Sequence, residues 1–224
     1  APHPGDPILK PAHHLDDSTV LSFAAGTLDD AFSVVAEAHL SMCPACRAAV
    51  REAEALGGEV LDALEEGSVS DACRAKTIAA LDQATLYRLP VAPPRSDLPP
   101  ALVRLLDISS FEDIAWKKKA PGVAMCDVKL PAYAKGKLKL LRIGAGRAMP
   151  EHGHGGEAIT LVLKGAYHDH MGVFARGDVA DLDEDIEHQP VVGPGEDCIC
   201  LVATEKPTRF KSLAARLMQP FVGI

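Results

Sequence analysis

The chain is poor in aromatic residues and contains no long apolar run. Aromatic residues make up only 4% of its 224 residues, with a single tryptophan, although 47% are apolar. The core must therefore be built mainly from aliphatic side chains. Because no apolar stretch approaches the roughly 18–20 residues that a membrane-spanning helix needs, we expect no association with a membrane.

The first residues, APHPGDPILKP, lack the basic segment and the following apolar segment of a secretion signal. We therefore expect a cytoplasmic protein, in a compartment where disulfides are rare. In that setting the six cysteines indicate metal or redox chemistry wherever they stand close to histidines.

Negative charge is concentrated in the first part of the chain. Residues 1–96 contain 7 Lys and Arg against 14 Asp and Glu, whereas residues 97–224 contain 16 against 17. An acidic segment of this kind repels nucleic acid and favours a basic partner, although a solvated acidic surface explains the same charge. We therefore expect no direct contact with nucleic acid.

The sequence pattern changes once along the chain and predicts a multidomain α + β protein. Capping residues and apolar spacing predict a helical bundle in residues 1–88, with the last helix reaching Tyr87. Residues 89–100 contain five prolines and are predicted to form a linker. In residues 101–224, short apolar runs between turn residues predict an antiparallel β-barrel or sandwich. The predicted helices begin near Asp16, Asp29, Pro44 and Asp71.

The helical part contains the spacing H-x-x-x-C-x-x-C, formed by His39, Cys43 and Cys46. Cys43 lies about one helical turn after His39, and the C-x-x-C spacing brings two thiolates to one centre. A structural zinc site takes four such ligands, so His13 or His14 would supply the fourth. The alternatives are a chance spacing or a thioredoxin-like redox pair, but no βαβ pattern surrounds the cysteines.

The β part contains His152-Gly153-His154, which resembles the start of a cupin metal motif. Residues two apart on a strand face the same side, so both imidazoles can point into the barrel. His188 stands where a later strand would supply a third imidazole. These three histidines predict a second site for zinc or another divalent metal, whereas a metal-free polar lumen is the alternative.

The predicted barrel site departs from the cupin motif at its acidic position. The motif places a glutamate four residues after the second histidine, where this chain has Ala158, and Glu157 stands one residue early. By strand parity Glu157 points away from the face of His154. A bulge at Gly155–Gly156 would restore it, so Glu157 is retained as a doubtful fourth ligand.

The remaining cysteines and one run of lysines are given simpler interpretations. Cys198 and Cys200 share one face of a strand and are predicted to be small core residues, with an oxidant-sensitive pair as the alternative. Cys73 and Cys126 are interpreted as packing residues. The run 117–119, three lysines, is interpreted as a solvated turn.

Several segments together resemble a known family. The stretch HHLDDSTVLSFAAGTLDDAFSVVAEAHLSMCPACR looks like the zinc-binding anti-sigma domain. From His13 to Ile224 the chain resembles ChrR-type anti-sigma factors, which join that domain to a cupin-like one. The resemblance is carried by the histidine–cysteine motif, the FAAGTL segment, H-G-H and D-C-I-C-L.

The resemblance implies specific ligands and a specific function. It places the first zinc on His14, His39, Cys43 and Cys46. It implies a regulator, not an enzyme, whose helices sequester an extracytoplasmic-function (ECF) sigma factor and whose barrel responds to a stress signal, singlet oxygen in particular. Two alternatives remain open from sequence. One is a metal-dependent cupin enzyme, a dioxygenase or isomerase with a helical accessory domain, and the other is a zinc-stabilised module with a different protein target.

Overall fold

The computed structural model describes residues 10–83 and 96–210, and confirms a helical part followed by an antiparallel β part. Each predicted helix begins within one residue of its expected start, as Asp and Pro at these positions favour. Residues 84–87 of the predicted fourth helix, and most of the predicted linker, lie outside the described residues. The helices are α1 (Asp17–Ala24), α2 (Asp30–Leu40), α3 (Pro44–Asp62), α4 (Asp71–Gln83) and α5 (Pro100–Leu106).

Within residues 96–210, the β part forms three antiparallel sheets that enclose a lumen. The large sheet has the order β1-β2-β3-β11-β5-β8, and the two smaller sheets have the orders β10-β6-β7 and β12-β4-β9. The strands are β1 (Lys117–Ala120), β2 (Val123–Val128), β3 (Lys137–Ile143), β4 (His152–Gly153), β5 (Ala158–Lys164), β6 (Ala166–Asp169), β7 (Gly172–Ala175), β8 (Val179–Leu182), β9 (Glu187–His188), β10 (Val191–Val192), β11 (Cys198–Thr204) and β12 (Arg209–Phe210).

In the central strands of the large sheet, odd-numbered and even-numbered residues are both apolar, because both faces of these strands are buried. On β5, Leu161 is fully buried in a core shared with the helices, whereas its neighbour Val162 is fully buried in the lumen core. The same division separates Leu201 from Cys200 on β11. Strands with two buried faces appear in the sequence as continuous apolar runs, as these do.

Helix α2 covers the outer face of the large sheet. Its residues Val35 and Ala36 are fully buried, and its first turn is tied to the loop before β3. The backbone N–H of Ala31 donates to the carbonyl of Lys135 at 3.1 Å, and the N–H of Lys135 donates to Asp30 Oδ2 at 2.9 Å. The helical part and the β part therefore share one continuous core.

The second half of α3 and all of α4 lie away from that core. Every residue from Arg51 to Leu81 is exposed except the half-buried Ala53. Ile78 and Leu81 are exposed among the described residues, and Cys73 is exposed on α4 and not packed as predicted. Within the described ranges, no helix is both long and apolar enough to cross a membrane.

The interpretation of residues 117–119 as a turn was wrong. These lysines lie in β1, an edge strand that, among the described residues, pairs only with β2; Lys117 and Lys118 are exposed and Lys119 is half-buried. Lysine is suited to such an edge because its charge discourages pairing with another chain. The turn signal in the sequence, Pro121-Gly122, follows the strand instead.

Two candidate metal centres

The first centre joins three segments of the helical part. His14 precedes α1, His39 lies in the last turn of α2, Cys43 caps the start of α3, and Cys46 lies in its first turn. One donor atom from each lies within 4.8 Å of all the others. The structure thus brings together the four side chains that the family resemblance implied.

The donor spacing in this centre fits a tetrahedral ion. His39 Nε2 lies 3.2 Å from Cys46 Sγ, and His14 Nδ1 lies 3.3 Å from Cys43 Sγ and 3.6 Å from Cys46 Sγ. Donors around a zinc ion at about 2.0–2.3 Å are separated by about 3.3–3.8 Å. The residues present therefore match a Cys2His2 zinc site in both donor type and spacing.

Burial shapes the protonation of this centre. Burial lowers the pKa of His39 to about 4, only partly offset by a backbone hydrogen bond, so the ring is neutral near pH 7. Burial raises the pKa of Cys46 to about 11. A neutral imidazole is ready to bind a metal, whereas a buried thiol becomes a thiolate only with a cation beside it.

The first centre is fastened to the β part through the turn between β7 and β8. His39 Nδ1–H donates to the carbonyl oxygen of Gly177 at 2.8 Å, which leaves Nε2 to face the cysteines. The buried carboxylate of Asp178 accepts the backbone N–H groups of Ala12 at 2.6 Å and His13 at 3.0 Å. The segment that carries His14 is thereby held against the barrel.

His13, the other candidate for the fourth ligand, has a different position. Its ring stacks on Phe174 of β7 with centroids 4.1 Å apart, and Phe174 stacks on Tyr167 of β6 at 5.0 Å. Tyr167 in turn lines the lumen cavity. A row of three stacked rings therefore runs from beside the first centre into the barrel.

The second centre lies inside the barrel. His152 of β4 pairs in register with His188 of β9, and His154 follows two residues after His152. Their ring centroids are 4.6–5.6 Å apart, and one nitrogen from each ring lies within 4.8 Å of the others. All three side chains are buried, and the structure therefore brings together the predicted histidine triad.

Hydrogen bonds orient two of these rings. His188 Nδ1 lies 2.9 Å from Oδ2 of Asp169, whose side chain is fully buried, and His152 Nδ1 donates to the carbonyl of Pro150 at 2.8 Å. Such partners fix the tautomer and leave Nε2 for a metal. Neither nitrogen of His154 has a hydrogen-bond partner among the described residues, although both are buried. A buried imidazole without a partner is the polar group that a bound ion would satisfy.

Burial also keeps this centre uncharged. It lowers the pKa of both His152 and His154 to about 4. Burial lowers the pKa of His188 as well, although the hydrogen bond that His188 donates to Asp169 opposes the shift. Three neutral imidazoles in one lumen suit zinc or another borderline divalent ion.

Glu157 does not join this group. Its side chain is exposed. Among the described residues, the donor group at this centre consists of the three imidazoles alone, whose nitrogens lie within 4.8 Å of one another. Ala158 is buried on the lumen side of β5, two residues before the cavity-lining Thr160. The register of β5 in this region is regular, so no bulge returns Glu157 to the lumen.

Asp169 and Asp178 were missed from the sequence. His168 and His170 flank Asp169 in the chain, and both are exposed. Because successive residues of a strand face opposite sides, Asp169 lies on the inner face, so the sequence did contain a signal for its position. Asp178 follows Gly177 in a short turn, and nothing in its local pattern distinguishes it from an exposed turn carboxylate.

Cys198 and Cys200 face the lumen as buried thiols. Their Sγ atoms lie 3.6 Å apart, close to a bulge in the pairing of β11 with β5. The hydrogen bond with Cys198, together with burial, raises the pKa of Cys200 far above its usual range, so Cys200 is a protonated thiol. Both cysteines are buried core residues, in agreement with the simpler interpretation.

Together, a helical module with a Cys2His2 donor group and a barrel with a histidine triad define a two-module protein with two candidate metal centres and a cupin-like domain. Residues 107–207 match the family model described as the ChrR cupin-like domain. The anti-sigma-E factor ChrR of Cereibacter sphaeroides is 39% identical over 216 residues, which is 95% of this chain and 98% of that protein. The chain belongs to the ChrR family.

A solved structure shows the same fold. A crystal structure of Rhodobacter sphaeroides SigE in complex with the anti-sigma ChrR matches with a TM-score of 0.73 and 36% identity. The match covers 87% of this chain and 100% of that chain. The likeness therefore extends over both modules and not only over the barrel.

Proposed function

We propose that this chain is a cytoplasmic anti-sigma factor that sequesters an ECF sigma factor through its helical module and releases it on a stress signal received by the barrel. The observation that carries the proposal is the likeness, over both modules, to the ChrR chain solved in complex with SigE. Family membership favours this regulator over the metal-dependent enzyme that the histidine triad alone allows.

Exposed apolar residues of α3, α4 and the segment between them form a candidate binding surface for a partner protein. Seven large apolar residues, here named the α3–α4 apolar surface, are 47–70% exposed. Single exposed apolar residues are ordinary, but a group of this size indicates an interaction surface. Its members are Leu56, Val60, Leu61, Leu64, Val69, Ile78 and Leu81.

The charge around this surface selects the kind of partner. Residues 51–83 contain eight Asp and Glu against three Lys and Arg. A sigma factor carries basic surfaces for nucleic acid, so an acidic rim around an apolar centre matches it in charge. The apolar centre would supply affinity, and the rim would supply association rate and selectivity.

We propose zinc at the first centre, held by His14, His39, Cys43 and Cys46. These residues come from the chain before α1, from α2 and from α3, so a shared ion would fix the helices relative to one another. A helical module of this size has a limited core, and a structural zinc adds directly to its folding free energy. The second centre, His152, His154 and His188, would hold zinc or another divalent ion.

The route from barrel to helices is the packing described above. The ring row of Tyr167, Phe174 and His13 ends next to His14, and Gly177 holds His39. A change in the lumen that moves β6, β7 or the turn at Gly177 would therefore displace two ligands of the first centre. An oxidative signal, with singlet oxygen as the leading candidate, would act through this route.

Co-purification tests the binding half of this proposal. The full chain should form a one-to-one complex with an ECF sigma factor from its source organism, measured by size-exclusion chromatography. Leu61→Asp and Leu81→Asp, at positions 67% and 70% exposed, should abolish it. Val173→Asp, at a position 63% exposed on β7, is the matched control and should leave the complex intact. Complex formation by the Leu61 and Leu81 variants would rule out this surface.

The sensing half needs a separate test. Replacing His152, His154 and His188 together by alanine should abolish signal-dependent release while sigma binding persists. Release of the sigma factor from this variant at the rate seen for the unaltered chain would contradict a sensing role for the triad.

A further inference from the structure

We propose that the barrel centre binds a small monoanion as the fourth ligand of its metal, and that the hydroxyl of Tyr167 donates a hydrogen bond to that anion. The inference rests on the proposed metal at His152, His154 and His188. It goes further because it assigns a binding site for an anion from solution, whereas the proposed metal alone could equally have all of its ligands from the protein.

The first step is a count of donors. A borderline divalent ion such as zinc takes at least four ligands, and sites with three protein ligands leave one position for water or an exogenous group. Among the described residues, only the three imidazole nitrogens converge on this point. Ala158 lies on the lumen face with no donor, and the nearby carboxylate, Glu157, is exposed.

The second step is the space beside the triad. The lumen holds a cavity of about 70 Å³ lined by all three histidines together with Thr160, Tyr167 and aliphatic side chains. This volume accommodates a few heavy atoms and excludes a large ligand. The small side chain of Ala158, on the same face of β5 as Thr160, contributes to the room available.

The third step is an unsatisfied donor in that cavity. The hydroxyl of Tyr167 is buried and has no hydrogen-bond partner among the described residues. Its ring is held by stacking on Phe174 at 5.0 Å, and the residue lines the cavity. Buried hydroxyl groups are normally paired, and an unpaired one on a residue that lines a ligand-sized cavity indicates a ligand that accepts a hydrogen bond.

The fourth step is charge. Imidazoles bind metals in their neutral form, so a divalent ion here carries two positive charges. Among the described residues near the triad, Asp169 behind His188 is the buried carboxylate, whereas Glu151 and Glu187 on the same side are exposed to solvent. One positive charge remains in an otherwise apolar cavity, where an uncompensated charge is costly. A monoanion neutralises it, whereas a dianion would reverse it.

Cobalt substitution tests the proposal directly. The full chain is loaded with Co²⁺ and titrated with sodium azide, a monoanion of suitable size, while the visible absorption of cobalt is recorded. The first centre has four protein donors and should not respond to azide. The contribution of the barrel is identified by subtracting the spectrum of His154→Ala, which retains the first centre. We expect a saturable change with one azide per chain, absent in His154→Ala.

Two further variants separate the parts of the proposal. Ala158→Glu should still take up cobalt but weaken azide binding at least about tenfold, because a carboxylate then occupies the fourth position. Tyr167→Phe should weaken azide binding about tenfold through loss of a charge-assisted hydrogen bond. Thermal unfolding of both variants checks that the barrel is intact.

The outcomes are distinct. A barrel cobalt spectrum that does not change with azide overturns the open position and leaves the proposed metal in place. Absence of any spectral difference between the unaltered chain and His154→Ala overturns the metal centre itself. Azide binding by Tyr167→Phe with unchanged affinity overturns the role of the hydroxyl. Sigma-factor binding is measured independently and is not affected by any of these results.

Discussion

The imidazole Nδ1 of His39 donates a hydrogen bond to the carbonyl oxygen of Gly177, across 2.8 Å and between the two modules. Because the other nitrogen of His39 faces the cysteines, the β part determines the orientation of a ligand in the helical part. Metal ligands depend on such partners for geometry and affinity. The first centre is therefore a property of the whole chain and not of the helical module alone.

The carboxylate of Asp178 should be the most sensitive anchor at this junction. Asp178→Ala removes the acceptor for the backbone N–H groups of Ala12, His13 and Ala175. Each unpaired buried donor is costly, so we expect the free energy of unfolding to fall by about 2–4 kcal/mol. Zinc should also be lost more readily to a chelator. Glu184→Ala, at an exposed position, is the control and should change stability by less than about 0.5 kcal/mol.

Loss of a thiolate should remove the metal from the first centre. Cys43→Ser should lower the zinc content by one equivalent per chain, measured by atomic emission after gel filtration. The free energy of unfolding should fall by about 4 kcal/mol or more, because metal binding and folding are coupled. Cys73→Ser, on the exposed α4, should keep the zinc content of the unaltered chain. Equal zinc in both variants would exclude Cys43 as a ligand.

Two glycines separate interface packing from backbone strain. Gly136 has φ +80°, and a Cβ there would lie 2.8 Å from the Cβ of Ala31 on α2. Gly146 has φ +69° with nothing within 4 Å of such an atom. Gly146→Ala should cost about 1–2 kcal/mol from backbone strain alone. Gly136→Ala should cost at least about 1 kcal/mol more, since α2 must move off the sheet. Equal losses in denaturant unfolding would mean that α2 yields freely.

Asp169 should tune the barrel centre through His188. Asp169→Asn retains a hydrogen-bonding group at 2.9 Å but removes the negative charge behind the imidazole. We expect the affinity of the barrel for zinc to fall about 10–100-fold, as measured by competition with a chelating dye. Glu196→Gln, an exposed change of the same type, should leave that affinity unaltered. An unchanged affinity in Asp169→Asn would argue that His188 does not bind the metal.

Thiol reactivity should follow burial and pKa. Cys200 is buried, and its hydrogen bond with Cys198, together with burial, raises its pKa, so at about pH 8 it remains a protonated, unreactive thiol. Cys73 is exposed. Iodoacetamide should therefore modify Cys73 in the native chain and modify Cys200 only after unfolding, as read by peptide mass spectrometry. Modification of both at the same rate would show that the lumen opens readily.

The sequence predicted both donor groups because their spacing is local. One helical turn relates His39 to Cys43, and strand parity relates His152 to His154, so neither relationship depends on the rest of the fold. The position of His14 came from the family resemblance, since no spacing rule separates it from His13. Its place became clear only through packing, because His13 stacks on Phe174.

The contact between modules could not be predicted in the same way. The apolar runs of β5 and β11 indicate burial on both faces, but they do not say what covers the outer face. A helix beginning near Asp29 was predicted, but its partner, the large sheet, begins only at Lys117, far along the chain. The exposure of the α3–α4 apolar surface could not be predicted for the same reason. Periodicity shows that a helix face is apolar, but it does not show whether another part of the chain covers that face.

Successive residues of β5 pack into two different cores, and this arrangement has an evolutionary consequence. Leu161 packs among helices and Val162 packs in the lumen, although they are adjacent in the chain. Substitutions at Leu161 should therefore covary with residues of α2, and substitutions at Val162 with residues around the histidine triad. Two independent patterns of covariation should interleave along this single strand, and an alignment of relatives should separate them by the parity of residue number.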